Sequence, residues 1–148
     1  IMPKRYTYRK ATAEELASGF PKMIEILVED LPDASTLEEA KEMKLAQIDS
    51  RTQELIFQGF SFAGLHWSLS INAQINWNNL PQLPQTVFPL AIQDMNGVDY
   101  DLEFSQRMDF YYTAVAVKNS HLQSGNVLKR EVSDMQTIQE ISNFVDPR

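Results

Sequence analysis

GFSFAGLHWSLSINAQINW spans residues Gly59 to Trp77, and its reading decides the fold. Taking Ala63-Gly64 as a two-residue turn sets Phe62 against Leu65, Ser61 against His66 and Phe60 against Trp67. The four large apolar residues then share one face and the polar pair takes the other, the agreement of loop length and pattern that a specified register requires. A β-hairpin is therefore expected over Phe60 to Trp67. Beyond it, Leu69, Ile71, Ala73, Ile75 and Trp77 alternate with Ser, Asn and Gln, which is the period of a strand. Yet a strand from Leu65 to Trp77 would be about twice the usual length, and Asn is depleted in strands. Read instead as a helix capped by Ser68 or Ser70, the segment places Leu69, Ala73, Trp77 and Leu80 on one face. Ile71 and Ile75 then fall on roughly the opposite side. The helix is the preferred reading, and a helix apolar on two sides must bury one in its own core and one elsewhere.

Upstream, a helix is expected from Ser35, which can cap, to about Gln58. Leu37, Ala40, Ile48, Thr52 and Leu55 keep near one face, and Gly59 supplies the stop. Downstream, NNLPQLPQ is a loop, because two prolines three apart block ladder and helix bonding alike. FPLAIQDMNGVDYDLEF is a second hairpin whose register can be chosen. A two-residue Asn96-Gly97 turn would set Ile92 against Asp101 and mix the faces. A three-residue loop, Met95-Asn96-Gly97, sets Asp94 against Val98, Ile92 against Tyr100, Leu90 against Leu102 and Phe88 against Phe104, with Gly97 where a left-handed residue is needed. From Ser105 a long helix is expected with Met108, Tyr111, Tyr112, Val115 and Leu122 along one side, bending or pausing near Ser124-Gly125. A capping box at Thr137-Ile138-Gln139-Glu140 then opens a last short helix.

The first part of the chain reads separately. Thr12-Ala13-Glu14-Glu15 has the capping-box pattern of a short helix that Gly19 and Pro21 close. KMIEILVED, Lys22 to Asp30, fits helix and strand equally. LPDAST, Leu31 to Thr36, is the linker candidate. Residues 1–35 are thus expected to form an N-terminal arm or docking segment, and residues 36–148 one α+β domain: two β-hairpins packed by a long helix on the N-terminal side and a long C-terminal helix. Ile1 standing before Met2 is what a chain beginning inside a longer reading frame would show.

At 148 residues the chain can hide roughly 68–70% of its unfolded surface, enough for a real core. A net charge of −7 opposes nucleic-acid binding, since phosphates would repel it. The basic cluster Lys4, Arg5, Arg9 and Lys10, with Tyr6 and Tyr8 interleaved, reads as a solvated arm, the alternative being contact with phosphate or sugar. With no cysteine there is no disulfide, thiolate metal site or Cys nucleophile. No apolar run approaches the roughly 20 residues of a membrane span, so a soluble protein is expected.

No catalytic constellation stands out. His66 and His121 have no second ligand at i+3 or i+4, so a zinc site would need distant parts. The run from Asp94 to Asp99 resembles a calcium loop but has its Gly two places early and Ser105 at the twelfth position, so the hairpin explains it better. No nucleophile elbow, phosphate-cradling loop or zinc-protease motif is present. Asp99, Asp101 and Glu103 read as a solvated strand face. Trp67 and Trp77 fall on apolar faces and read as core. Neither a cofactor nor a catalytic residue is expected.

IDSRTQELIFQGFSFAGLHWSLSINAQINWNNL (Ile48 to Leu80) resembles a phage-encoded domain of unknown function, often found beside or within tail-fibre and other virion genes. The likeness is carried by Asp49, Arg51, Thr52, Leu55 and Ile56, then by Gly59, Phe60 and Phe62, then by Trp67, Ser68, Leu69, Ser70, Ala73, Gln74 and Asn76. It departs at Trp67, where the family pattern has Phe. FPLAIQDMNGVDYDLEF, LQSGNVLKREV and ISNFVDPR also look like the family's segments, so the likeness covers roughly Leu37 to Arg148. The resemblance implies a virion-associated structural role and transfers no catalytic residue. The expected function is a non-enzymatic assembly component of a phage fibre, tail or head surface, homo-oligomeric and in contact with other virion proteins, with Ile71, Ile75, Tyr6 and Tyr8 as its interface. The alternative is a module that recognises host-surface glycan or protein.

Overall fold

The computed structural model describes two early strands by their backbone, β1 (Lys4–Lys10) and β2 (Met23–Pro32), and residues 36–148 with their side chains. Of the segment left open between helix and strand, Lys22 to Asp30, the described residues from Met23 onward are strand. β1 and β2 pair antiparallel, with Tyr6 opposite Leu27 and Tyr8 opposite Glu25, and form a third two-stranded pair that the expected two hairpins did not include. The helix expected from Thr12 and residues 33–35 of the expected linker lie outside the described residues, whereas Leu31 and Pro32, also expected in the linker, end β2.

The elements that follow are α1 (Leu37–Phe57), β3 (Phe60–Phe62), β4 (Leu65–Trp67), α2 (Ile71–Asn79), β5 (Leu90–Gln93), β6 (Asp99–Leu102), α3 (Arg107–Asp134) and α4 (Ile138–Asn143). Single 3-10 turns at Leu80–Gln82 and Gln85–Val87 fill the proline loop. The architecture is a small mixed α+β structure. The chain divides into two compact units, Ile1–Gln47 with Glu131–Pro147 and Ile48–Arg130 with Arg148.

In the first unit the cap of α1 is Thr36 rather than Ser35: its hydroxyl accepts from the Glu39 N–H at 3.1 Å. Ala40, Val132 and Ile141 are buried. Two lysines of α1 donate to backbone carbonyls, Lys41 Nζ to Ser133 at 2.6 Å and Lys44 Nζ to Phe144 at 3.0 Å. α4 starts as expected, the Thr137 hydroxyl accepting from the Glu140 N–H at 3.1 Å.

The second unit is built on aromatics. α1 stops at Gly59, whose φ of 83° no β-carbon tolerates well and whose N–H donates to the Ile56 carbonyl at 3.0 Å. A Cβ there would also overlap the Trp67 carbonyl oxygen, so the same glycine lets the helix end lie against the first hairpin. That hairpin has the expected register, Phe60 with Trp67, Ser61 with His66 and Phe62 with Leu65, with Ala63 and Gly64 both at positive φ in the turn. Such a turn matches the strand twist. The second hairpin also takes the expected three-residue loop: Leu90 faces Leu102, Ile92 faces Tyr100, and Gly97 sits at φ 78°. The Asp94 N–H donates to the Val98 carbonyl at 3.0 Å, and the Asp94 carboxylate accepts from the Asn96 and Val98 N–H groups at 2.9 and 2.8 Å. The flanking aspartate that resembled a calcium ligand is therefore committed to its own turn. A bond from the Met95 N–H to the His66 carbonyl at 2.8 Å ties the two hairpins together.

Trp67, Trp77 and Phe110 form the centre, with Phe110 edge-on to both indoles at centroid distances of 5.2 and 4.8 Å. Edge-to-face contacts of this kind add roughly 0.5–1.5 kcal/mol each beyond burial. Phe60 and Phe62 also meet Phe110 edge-on, each with ring centroids 5.1 Å apart. Both tryptophans are core residues, as expected.

Two stripes differ from expectation. On α1, Ile56 is fully buried, whereas Leu55 is half-buried. On α3, the buried line runs through Phe110, Ala114, Gly125, Leu128 and Val132, whereas Tyr112 is 59% exposed and Met108, Tyr111, Val115 and Leu122 are half-buried. The buried line follows the 3.6-residue period through Phe110 and Ala114 rather than the largest side chains. The interruption expected near Ser124-Gly125 is also absent, and α3 is continuous from Arg107 to Asp134. Gly125 serves packing instead: a Cβ there would stand 2.5 Å from Thr52 Oγ1. Small residues at such a crossing let two helix backbones approach.

Candidate functional site

α2 is short and strongly anchored. The Ser70 hydroxyl accepts from the Ala73 N–H at 3.2 Å, the Gln74 side chain donates to the Leu69 carbonyl at 2.8 Å, and the Trp77 indole N–H donates to the Ser68 carbonyl at 2.7 Å. The first of these bonds satisfies an N–H group that a helix start leaves open, and the other two tie α2 side chains to the carbonyls that precede it. They also fix the rotation of α2 about its axis. Ala73 and Trp77 point inward, each 8% exposed, and Leu69 and Leu80 flank them at 1%.

That rotation leaves two other faces of α2 defined. Ile71 and Ile75 point outward, 65% and 55% exposed, as the two-faced helix required. They are one turn apart, about 6 Å along the axis. Asn72, Asn76 and Asn79 form a separate flank and line an open cleft of about 630 Å³. Ser68 and Ser70 continue that polar wall, Leu80 and Leu83 floor the cleft, and Leu90, Ile92 and Gln93 of β5 close the far side. None of the lining residues carries a charge. Neutral amides and hydroxyls over an aliphatic floor select an uncharged ligand, because a charge brought in would lose its hydration without a counter-ion.

Of the four residues expected at an interface, Ile71 and Ile75 are described with their side chains and Tyr6 and Tyr8 by their backbone alone. Ile71 and Ile75 belong to the second unit, whereas Tyr6 and Tyr8 lie two apart on β1 in the first, placed there by backbone register. The two histidines sit on different elements. His66 is half-buried, and its Nε2 meets the Gln58 carbonyl. His121 sits on α3, and its carbonyl accepts from Arg148 at 3.4 Å. Among the described residues no three of His, Asp and Glu gather in a metal-binding group. No helix of the described residues is long and apolar enough to cross a membrane.

Two features were not foreseen from the sequence. The amide flank follows helical spacing at i, i+4 and i+7, a signal that was present once the helix reading was taken. The second is the Arg148 guanidinium, which donates to Thr52 Oγ1 at 2.9 Å, the Ile48 carbonyl at 3.1 Å and Ser124 Oγ at 3.1 Å, while Arg51 Nε donates to the Arg148 carbonyl at 3.0 Å. Nothing in the local sequence around Asp146-Pro147-Arg148 signals that role. Compared with protein-family models, curated proteins and solved structures, the chain matches none.

Proposed function

We propose that the protein is a non-enzymatic assembly component of a bacteriophage virion, part of a fibre, tail or head-surface structure, where it self-associates and contacts other virion proteins. The observation that carries this reading is the outward pair Ile71 and Ile75 on a helix whose opposite face is already buried. Leaving both in water forgoes roughly 3–6 kcal/mol of burial, which a partner surface recovers. The setting rests on the resemblance of Leu37 to Arg148 to the phage domain described above, and the net charge of −7 favours protein over nucleic acid as the partner.

Light scattering on the whole chain and on I71D/I75D tests the association. A mass that is a multiple of the monomer's, falling to the monomer's in the variant, supports the reading, and a monomeric wild type contradicts self-association. Mass spectrometry of purified phage particles tests the setting, since a structural component is present in them at a fixed ratio to the other proteins. A second reading, recognition of a host-surface protein or glycan, is favoured by the uncharged amide-lined cleft beside α2.

A further inference from the structure

β5 has a free edge. It pairs with β6 alone among the described strands. The bond from the Asp94 N–H to the Val98 carbonyl makes that pair a hydrogen-bonded one. By the alternation of antiparallel ladders, Ile92 with Tyr100 and Leu90 with Leu102 are also hydrogen-bonded pairs, so Ala91 and Gln93 turn their N–H and C=O groups away from β6. Both residues are exposed, and no backbone bond from another described element meets them.

The cleft reaches this edge. Successive strand residues project to opposite faces, so lining by both Ile92 and Gln93, and by no residue of β6, fits an opening at the rim of β5. Across it stand Asn72, Asn76 and Asn79, whose side-chain amides have no hydrogen-bond partner among the described residues. One helical turn advances about 5.4 Å, and two residues of extended chain advance about 6.6–6.8 Å. The outward backbone groups of a strand laid along β5 would thus repeat at a spacing similar to that of the α2 amides.

We infer that the cleft between α2 and β5 receives an extended, uncharged polypeptide segment of a partner protein, which adds a strand to the free edge of β5 while its other edge meets Asn72, Asn76 and Asn79. Main-chain bonds supply affinity in this mode, and pockets for alternate side chains supply selectivity. The half-buried aliphatic side chains of Leu83, Leu90 and Ile92 are those pockets. A glycan fits less well. Sugar rings bind by stacking on an aromatic face, and Trp77 is 8% exposed, edge-on to Trp67 and Phe110, with its N–H bonded to Ser68. The inference uses a different flank of α2 from Ile71 and Ile75 and stands whether or not the virion reading holds.

The test is an amide NMR titration of the whole chain with the capped hexapeptide acetyl-Thr-Val-Ser-Val-Thr-Leu-amide. Saturable shifts are expected at the Ala91 and Gln93 backbone amides and at the side-chain amides of Asn72, Asn76 and Asn79. A91P removes an outward donor without removing a ladder bond, and N72A/N76A/N79A leaves β5 untouched. Each is expected to weaken binding about tenfold or more. Should A91P fail to fold, the triple variant at exposed positions still decides. No saturable shifts at millimolar peptide, or equal affinity in the triple variant, overturns the inference. So does maltohexaose shifting these signals where the peptide does not.

Discussion

Thr52 Oγ1 stands 2.5 Å from the position a β-carbon on Gly125 would occupy. Neither partner can move far: Thr52 is β-branched, its hydroxyl donates to the Ile48 carbonyl at 2.9 Å, and it accepts from Arg148 at the same distance. In an open helix, Gly→Ala would stabilise by roughly 0.5–1 kcal/mol. Here overpacking of roughly 1–3 kcal/mol opposes that gain. Gly125→Ala is therefore expected to lower stability by about 1–2 kcal/mol in urea unfolding. A variant as stable as the wild type would show that the crossing can open.

Gly59 and Gly97 have similar positive φ angles, 83° and 78°, in different surroundings. Gly97 has open space where a side chain would go. Gly97→Val should cost about 1–2 kcal/mol from the left-handed conformation. Gly59→Ala adds the overlap with the Trp67 carbonyl and should cost more than Gly97→Val despite the smaller side chain. Thermal melts of the two side by side check the order, and the reverse order would rule out the steric account.

Trp77→Ala should destabilise the second unit by roughly 3–5 kcal/mol, since it removes a buried ring and leaves the Ser68 carbonyl without its donor. I71D/I75D, at exposed positions on the same helix, should leave the melting curve of a monomer within about 0.5 kcal/mol. Equal damage from both would mean that α2 does not present two faces.

Much of this was legible because short-range rules agreed with one another. In both hairpins the turn length, the glycine position and the alternation of apolar residues selected one register, and that register is observed. The α2 reading rested on strand length and asparagine chemistry against a perfect period of two, and the Ser70 cap explains why the helix prevails. The α3 stripe is less legible because the bulky Tyr111 and Tyr112 stand beside Phe110 and Ala114, through which the buried line runs. The Arg148 contacts join residues up to 100 apart in the chain, beyond the reach of any local pattern. The cleft was hidden for a related reason: its two walls come from α2 and β5, and no local pattern brings Asn76 and Ile92 together.

Asp94 is buried, and one carboxylate oxygen accepts two backbone N–H groups of its own loop. Hydrogen bonds to a charged group contribute about 1.5–3 kcal/mol each, so Asp94→Ala should destabilise by at least that much. Asp94→Asn keeps an acceptor oxygen and should cost less. Urea midpoints for the pair check the order, and equal losses would assign the effect to packing alone.

The chain has two tryptophans, and both sit in the aromatic centre of the second unit, 6.2 Å apart and edge-on. Indole fluorescence is therefore a private signal of that unit, blue-shifted while folded and blind to Ile1–Gln47 and Glu131–Pro147. Far-ultraviolet dichroism weighs the helices of both. Recording the two signals during one denaturant titration turns an accident of composition into a gauge of cooperativity: coincident midpoints mean that the units melt as one, and separated midpoints give each unit its own stability without any mutation or label.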